Sequence, residues 1–251
     1  MIALLLLIPI FLCLGSFLNC MAYRLVHPQH PRTPRSCCPY CHQTIVWYDL
    51  IPVLSWIFLR ARCRRCAAPI SFLYPLIELL TVIVFLGLIY KVPMLYYFCY
   101  SIFFAALIIS IRTDLETMLI SRIVTLCLVP VGLVLALLGL LPITFSQALW
   151  GTLFGYLILW GIAKMFYLLT GKQGMGEGDY DLLALIGSFT GVVGVWLSLL
   201  LGSVVGSIVG ILSIAYLGKK QMTQPIPFGP FLAGGAILYV LFQTPITNFL
   251  L

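Results

Sequence analysis

Polar positions in this chain are confined to short clusters between long, nearly uninterrupted apolar runs. Runs at 1–23, 72–90, 94–111, 123–143 and 147–169 each approach the length a helix needs to cross a hydrocarbon core, at about 1.5 Å of rise per residue. The run at 182–217 is too long for one crossing and is expected to break near Gly191 and Gly194. A last run covers about 229–248. The pattern predicts an all-α polytopic membrane protein with about eight transmembrane helices. Residues 24–71 form the one sizeable hydrophilic stretch. The expected organisation is a first transmembrane helix over 1–23, a cytoplasmic domain over 24–71 and a transmembrane domain over 72–251.

Composition removes the soluble alternatives. Of 251 residues, 62% are hydrophobic and 8% charged, whereas a soluble domain carries about a quarter charged residues. The formal charge of +7 does not imply nucleic acid, because the basic residues flank apolar runs instead of forming a patch. The first run lacks the basic start and small-residue cleavage site of a secretory signal. Arg24 follows it, which puts the N-terminus outside. The arginine-rich segment 24–71, the Arg112–Arg122 junction, the Gly174–Asp181 stretch and Lys219-Lys220 then share one face, and Lys91 lies on the other. That bias makes the shared face cytoplasmic and the chain a multi-pass membrane protein, with the lipid bilayer as its surroundings.

The nine cysteines fall into two groups. Cys13, Cys20, Cys99 and Cys127 sit in apolar runs and read as small hydrophobes. Cys38-Pro39-Tyr40-Cys41 and Cys63-Arg64-Arg65-Cys66 have the spacing of a two-knuckle zinc ribbon. Each turn points two sulfurs the same way, and two facing turns make a closed, structural zinc site of four cysteines. A reducing cytoplasm disfavours disulfides there, and neighbouring arginines favour the thiolates that a metal needs. Cys37 is a spare sulfur that could replace Cys38, and His27, His30 and His42 read as solvated.

Acid is scarce, which makes its placement informative. Gly174-Met175-Gly176-Glu177-Gly178-Asp179-Tyr180-Asp181 packs three carboxylates and three glycines between two apolar runs. Carboxylates beside hydrocarbon are costly and suggest a task, although a glycine-rich loop is also simply a turn. Asp114 lies just past the run at 94–111, where it could pair with Arg112 or Arg122. The topology puts both Asp114 and Asp179 at cytoplasmic helix ends, so the two can meet. Paired carboxylates share one proton, giving a base for a water and an acid for a scissile carbonyl. Glu116, Glu177 and Asp181 compete for these roles, and spacing does not exclude them. Glu78, about a turn into the second helix, is a functional candidate or the partner of an arginine from segment 24–71.

Taken in order, these features resemble the type IV prepilin peptidase (leader peptidase/N-methyltransferase) family over nearly the whole chain. The resemblance rests on Gly15-Ser16-Phe17-Leu18-Asn19-Cys20 in the first helix and on the paired Cys-x-x-Cys segment. It continues through Tyr74-Pro75-Leu76-Ile77-Glu78, Asp114-Leu115, Gly176-Glu177-Gly178-Asp179 and Pro227-Phe228-Gly229-Pro230. It implies a membrane aspartyl endopeptidase, with Asp114 and Asp179 catalytic, that removes the basic leader from pilin-like precursors at the cytoplasmic face. Such precursors serve type IV pili, type II secretion or DNA uptake. Many members also methylate the new N-terminus from S-adenosylmethionine, an activity tied to the cytoplasmic domain.

The chain departs from the family pattern in three places. Asp181 stands where relatives usually have a lysine, putting an anion beside the pair; Leu119-Ile120-Ser121 replaces the common Ile-Pro; and Ala61-Arg62-Cys63 replaces Gly-Arg-Cys at the second knuckle. The competing reading is a non-enzymatic multi-pass transporter with a zinc-stabilised cytoplasmic domain, which would use the same acids as coupling sites.

Overall fold

The computed structural model describes residues 2–27, 35–217 and 226–250. His30, Lys219 and Lys220 lie outside the described residues. Among the described residues eight α-helices follow one another: α1 (Ile2–Val26), α2 (Leu54–Phe58), α3 (Leu73–Lys91), α4 (Met94–Thr117), α5 (Arg122–Leu137), α6 (Phe145–Thr170), α7 (Glu177–Leu217) and α8 (Gly229–Leu250), with a 3-10 turn at Trp47–Leu50. Among the described residues the only β-structure is two isolated bridges, Cys37 with Thr44 and Arg62 with Pro69. Among the described residues, five helices are long and apolar enough to cross a membrane: α1 from Leu6, α3, α4, α6 and α7; α5 and the Gly229–Gln243 part of α8 are shorter apolar helices.

Several boundaries differ from those expected. The third apolar run ends at Arg112, but α4 continues to Thr117, because Arg112 pairs with Glu116 one turn on at 2.7 Å. Met118 then ends the helix in a left-handed conformation, its N–H closing on the Asp114 carbonyl at 2.9 Å. Helix α5 stops at Leu137 instead of 143: Gly139 turns left-handed at φ 70°, and the Gly139 and Leu140 N–H groups cap the Ala136 and Leu135 carbonyls. The Glu177–Asp181 part of the octapeptide is not loop but the first turn of α7. The expected break in the long run falls at Gly191, whose φ of 70° and ψ of −172° interrupt α7.

The chain forms two compact units, Met1–Gly87 and Leu88–Leu251. In the first, α1 and α3 meet at Gly15, where a Cβ would lie 2.8 Å from the Glu78 Cα. Phe11 packs on Phe85 with ring centroids 5.4 Å apart, and the Asn19 side chain donates to the Tyr74 carbonyl at 3.1 Å. In the second, Phe103 of α4 stacks on Phe189 of α7 at 4.7 Å. Helices α6 and α7 touch backbone to backbone. A Cβ on Gly151 would sit 2.5 Å from the Gly187 carbonyl oxygen, and one on Gly155 2.5 Å from that of Leu183. Small residues four apart allow this approach where no hydrophobic force drives helices together. The contact fixes the first half of α7, and with it the turn that carries Asp179.

Candidate active site

Asp114 projects from the last turn of α4 and is buried. Its Oδ2 accepts the backbone N–H of Gly229, the first residue of α8, at 2.9 Å. The first N–H groups of a helix have no intrahelical acceptor, so this one is available to an acid. A Cβ at position 229 would lie 2.8 Å from the same oxygen, so only glycine allows the approach.

Asp179 lies in the first turn of α7 and is 9% exposed. The Asp179 N–H bonds back to the Gly176 carbonyl at 3.2 Å, and a Cβ on Gly176 would lie 3.7 Å from the Asp179 Oδ2. Ile120, in the α4–α5 connection, fills the space between the elements. Its Cβ would meet a Cβ on Gly178 at 2.8 Å, and its Cδ1 one on Gly229 at 2.9 Å. Glycines on α7 and α8 thus admit one isoleucine and let three elements converge on the two aspartates.

The competing carboxylates are all occupied. Glu116 pairs with Arg112 at 2.7 Å, Glu177 with Arg122 at 2.7 Å, and the buried Asp181 with the Arg122 Nε at 2.8 Å. Asp49 pairs with Arg64. Among the described residues, Asp114 and Asp179 have no salt-bridge partner. The expected alternative of Asp114 paired with Arg112 or Arg122 does not occur, because both guanidiniums are turned to other acids. Nor does Asp181 stand as a bare anion beside the pair: Arg122 supplies a cation from the start of α5. Arg122, Ile120 and the Gly229 N–H make contacts around the two aspartates that the sequence did not reveal. A proline-phenylalanine-glycine entry to an apolar run was the only signal for the last.

In the first unit, the Sγ atoms of Cys38, Cys41, Cys63 and Cys66 lie within 4.8 Å of one another, a set that could hold a metal ion. Cys37 is not among them; it bridges to Thr44 in the turn instead. The knuckles are built alike. His42 N–H bonds to the Cys38 carbonyl and Ala67 N–H to the Cys63 carbonyl, both at 2.9 Å. The residue after each second cysteine is left-handed, His42 at φ 55° and Ala67 at φ 56°. The N–H groups of Cys66 and Arg65 hold the Cys63 thiol down at about 7. Cys66 is pushed up to about 11: the Ala68 N–H favours its thiolate, but lost hydration and three neighbouring thiols outweigh it. Four sulfurs this close resist carrying four charges without a cation among them.

Among the described residues Glu78 has no arginine partner. Its Oε2 accepts the Val53 N–H at 2.8 Å. Val53 is left-handed at φ 59°, a costly conformation for a β-branched residue.

The chain matches a model of the bacterial peptidase A24 N-terminal domain over residues 10–92 and one of the type IV leader peptidase family over 101–211. It is 36% identical to a prepilin leader peptidase/N-methyltransferase of Aeromonas hydrophila, covering 96% of this chain and 91% of that protein. Proteins of the same description from Pseudomonas aeruginosa and Dickeya chrysanthemi are 32% and 36% identical, over 94% and 92% of this chain and 89% of each of theirs. No solved structure matches significantly.

Proposed function

This chain belongs to the type IV leader peptidase family, and from that membership we propose that it cleaves the leader of prepilin-like precursors with Asp114 and Asp179 as its acid–base pair. One observation carries the assignment. Four of the seven acids are tied to arginines, while Asp114 and Asp179 have no salt-bridge partner among the described residues and have glycines at 176, 178 and 229 around them. Membership of an enzyme family leaves the transporter reading without support.

The chemistry follows from one proton held between two carboxylates. The ionised member takes a proton from a water as its oxygen adds to the scissile carbonyl carbon. The protonated member donates to the carbonyl oxygen. Collapse of the tetrahedral intermediate breaks the C–N bond, and the amine leaves with a proton returned from the pair. The Gly229 N–H keeps Asp114 oriented throughout. Asp114→Asn and Asp179→Asn, each assayed on a prepilin-like precursor, test the assignment; full processing by either variant would refute it.

The charge bias supports an inner-membrane enzyme with its N-terminus outside and the aspartates on the cytoplasmic side. The break at Gly191 supports two crossings from α7 and so eight in all, with 72–251 as the peptidase domain and 24–71 as the cytoplasmic four-cysteine domain. A structural zinc ion suits the four cysteines. Zinc–sulfur bonds of about 2.3 Å in a tetrahedron put sulfurs about 3.8 Å apart, and Cys38 and Cys66 are 3.8 Å apart. N-methylation from S-adenosylmethionine belongs with this domain, and Glu78, which ties Val53 to α3, would support that activity structurally. Ala61 holds φ 57°, so the conformation that glycine favours is retained at the family's Gly-Arg-Cys position.

A further inference from the structure

The segment between α1 and α3 is polar by composition, yet its middle is not. Trp47, Leu54, Ile57 and Phe58 are 78%, 53%, 56% and 81% exposed. Two links set their level. The Val53 N–H, at the start of α2, bonds to Glu78, which lies about 7.5 Å along α3 from its first residue. The Trp56 indole donates to the Ile70 carbonyl at 3.2 Å, and its ring packs edge-on against Phe72, centroids 5.8 Å apart, just before α3 begins. Helix α3 is long and apolar enough to span a membrane, so α2 sits where α3 enters the hydrocarbon and not out in solvent.

Charge follows the apolar stretch directly. Arg60, Arg62 and Arg65 are exposed, whereas Arg64 is taken up by Asp49 and the Tyr48 ring. Exposed aromatic and aliphatic side chains at the interface, followed by outward-facing cations, form the pattern of a segment lying in a leaflet beneath anionic headgroups. The left-handed Val53 turns the chain into this position, and the Glu78 bond holds it there.

We propose that Trp47–Phe58 is an interfacial anchor: its apolar side chains lie in the lipid leaflet, and Arg60, Arg62 and Arg65 engage anionic phospholipid headgroups. The cysteine module is thereby held against the membrane surface. This rests on the membrane reading of α3 and not on the aspartate pair, so peptidase assays and the test below fail independently.

The test places benzoylphenylalanine at Phe58 in the full chain, reconstituted in nanodiscs of phosphatidylglycerol and phosphatidylcholine, with mass analysis after irradiation. Phospholipid adducts are expected, with phosphatidylglycerol enriched about fivefold or more over its share. A label at Trp47 should behave alike and serves if the first variant folds poorly. Cross-links to protein, whether a precursor or a second copy, would overturn the proposal. So would no adduct, or equal lipid capture by a label at Gln43 in the first knuckle.

Discussion

The backbone N–H of Gly229 donates to the carboxylate of Asp114 at 2.9 Å, joining the start of α8 to the end of α4. A methyl group at position 229 would collide with that oxygen. Gly229→Ala should therefore displace Asp114 while leaving the fold intact. A misplacement of this kind costs about a hundredfold in rate. The expected result is a large fall in kcat with KM for the precursor little changed, measured by steady-state cleavage.

Arg122 pairs with both Asp181 and Glu177, and Asp181 is buried. Arg122→Gln strands a buried carboxylate two residues from Asp179 and should lower both thermal stability and cleavage. Glu177→Gln, at an exposed position, should have a much smaller effect. The exchange Arg122→Asp with Asp181→Arg should recover much of what the single change loses, since the pair's geometry and not its polarity joins α5 to α7. Melting temperature and cleavage rate measured across the set separate these outcomes.

The cysteine module has a pH signature. Metal-free protein should alkylate first at Cys63, whose thiol is held at about 7, with Cys66 far slower because it is pushed up to about 11. A lowered thiol pKa means thiolate above that pH and thiol below it. Zinc affinity should accordingly fall as pH drops from about 11, where Cys66 begins to protonate, and more steeply below about 7, where Cys63 does too, with proton release on binding. Purified protein should carry one zinc per chain, and Cys38→Ser or Cys63→Ser should impair methyl transfer more than cleavage. Elemental analysis and a methyl-transfer assay check both statements.

Ala61 carries a left-handed backbone at φ 57°. Ala61→Gly removes a steric cost of about 1 kcal/mol, partly offset by a freer unfolded chain. A gain of up to about 1 kcal/mol in stability is expected, read as a raised unfolding midpoint at unchanged cleavage rate.

Much of this architecture was legible because hydrocarbon imposes length and composition on helices directly. The apolar runs gave the helices, Gly191 marked the break in α7, and two Cys-x-x-Cys pairs marked the four-sulfur cluster. Helix ends were less legible. Asp114 was expected beyond its helix because hydropathy ends at Arg112, whereas an ion pair and a left-handed methionine extend α4 past it. Choosing among five carboxylates was not possible from spacing, since the choice lies in where Arg112 and Arg122 point. Nor does composition show that Leu54, Ile57 and Phe58, set among prolines and arginines, are raised to the level of α3 by Glu78 and Trp56.

The most direct test is a double-mutant cycle on precursor cleavage with Asp114→Asn, Asp179→Asn and the combination. If the two aspartates work as one unit around a shared proton, each single change should abolish nearly all turnover, and the double should be scarcely worse than either. Losses that multiply, or near-normal turnover in one single variant, would contradict the account.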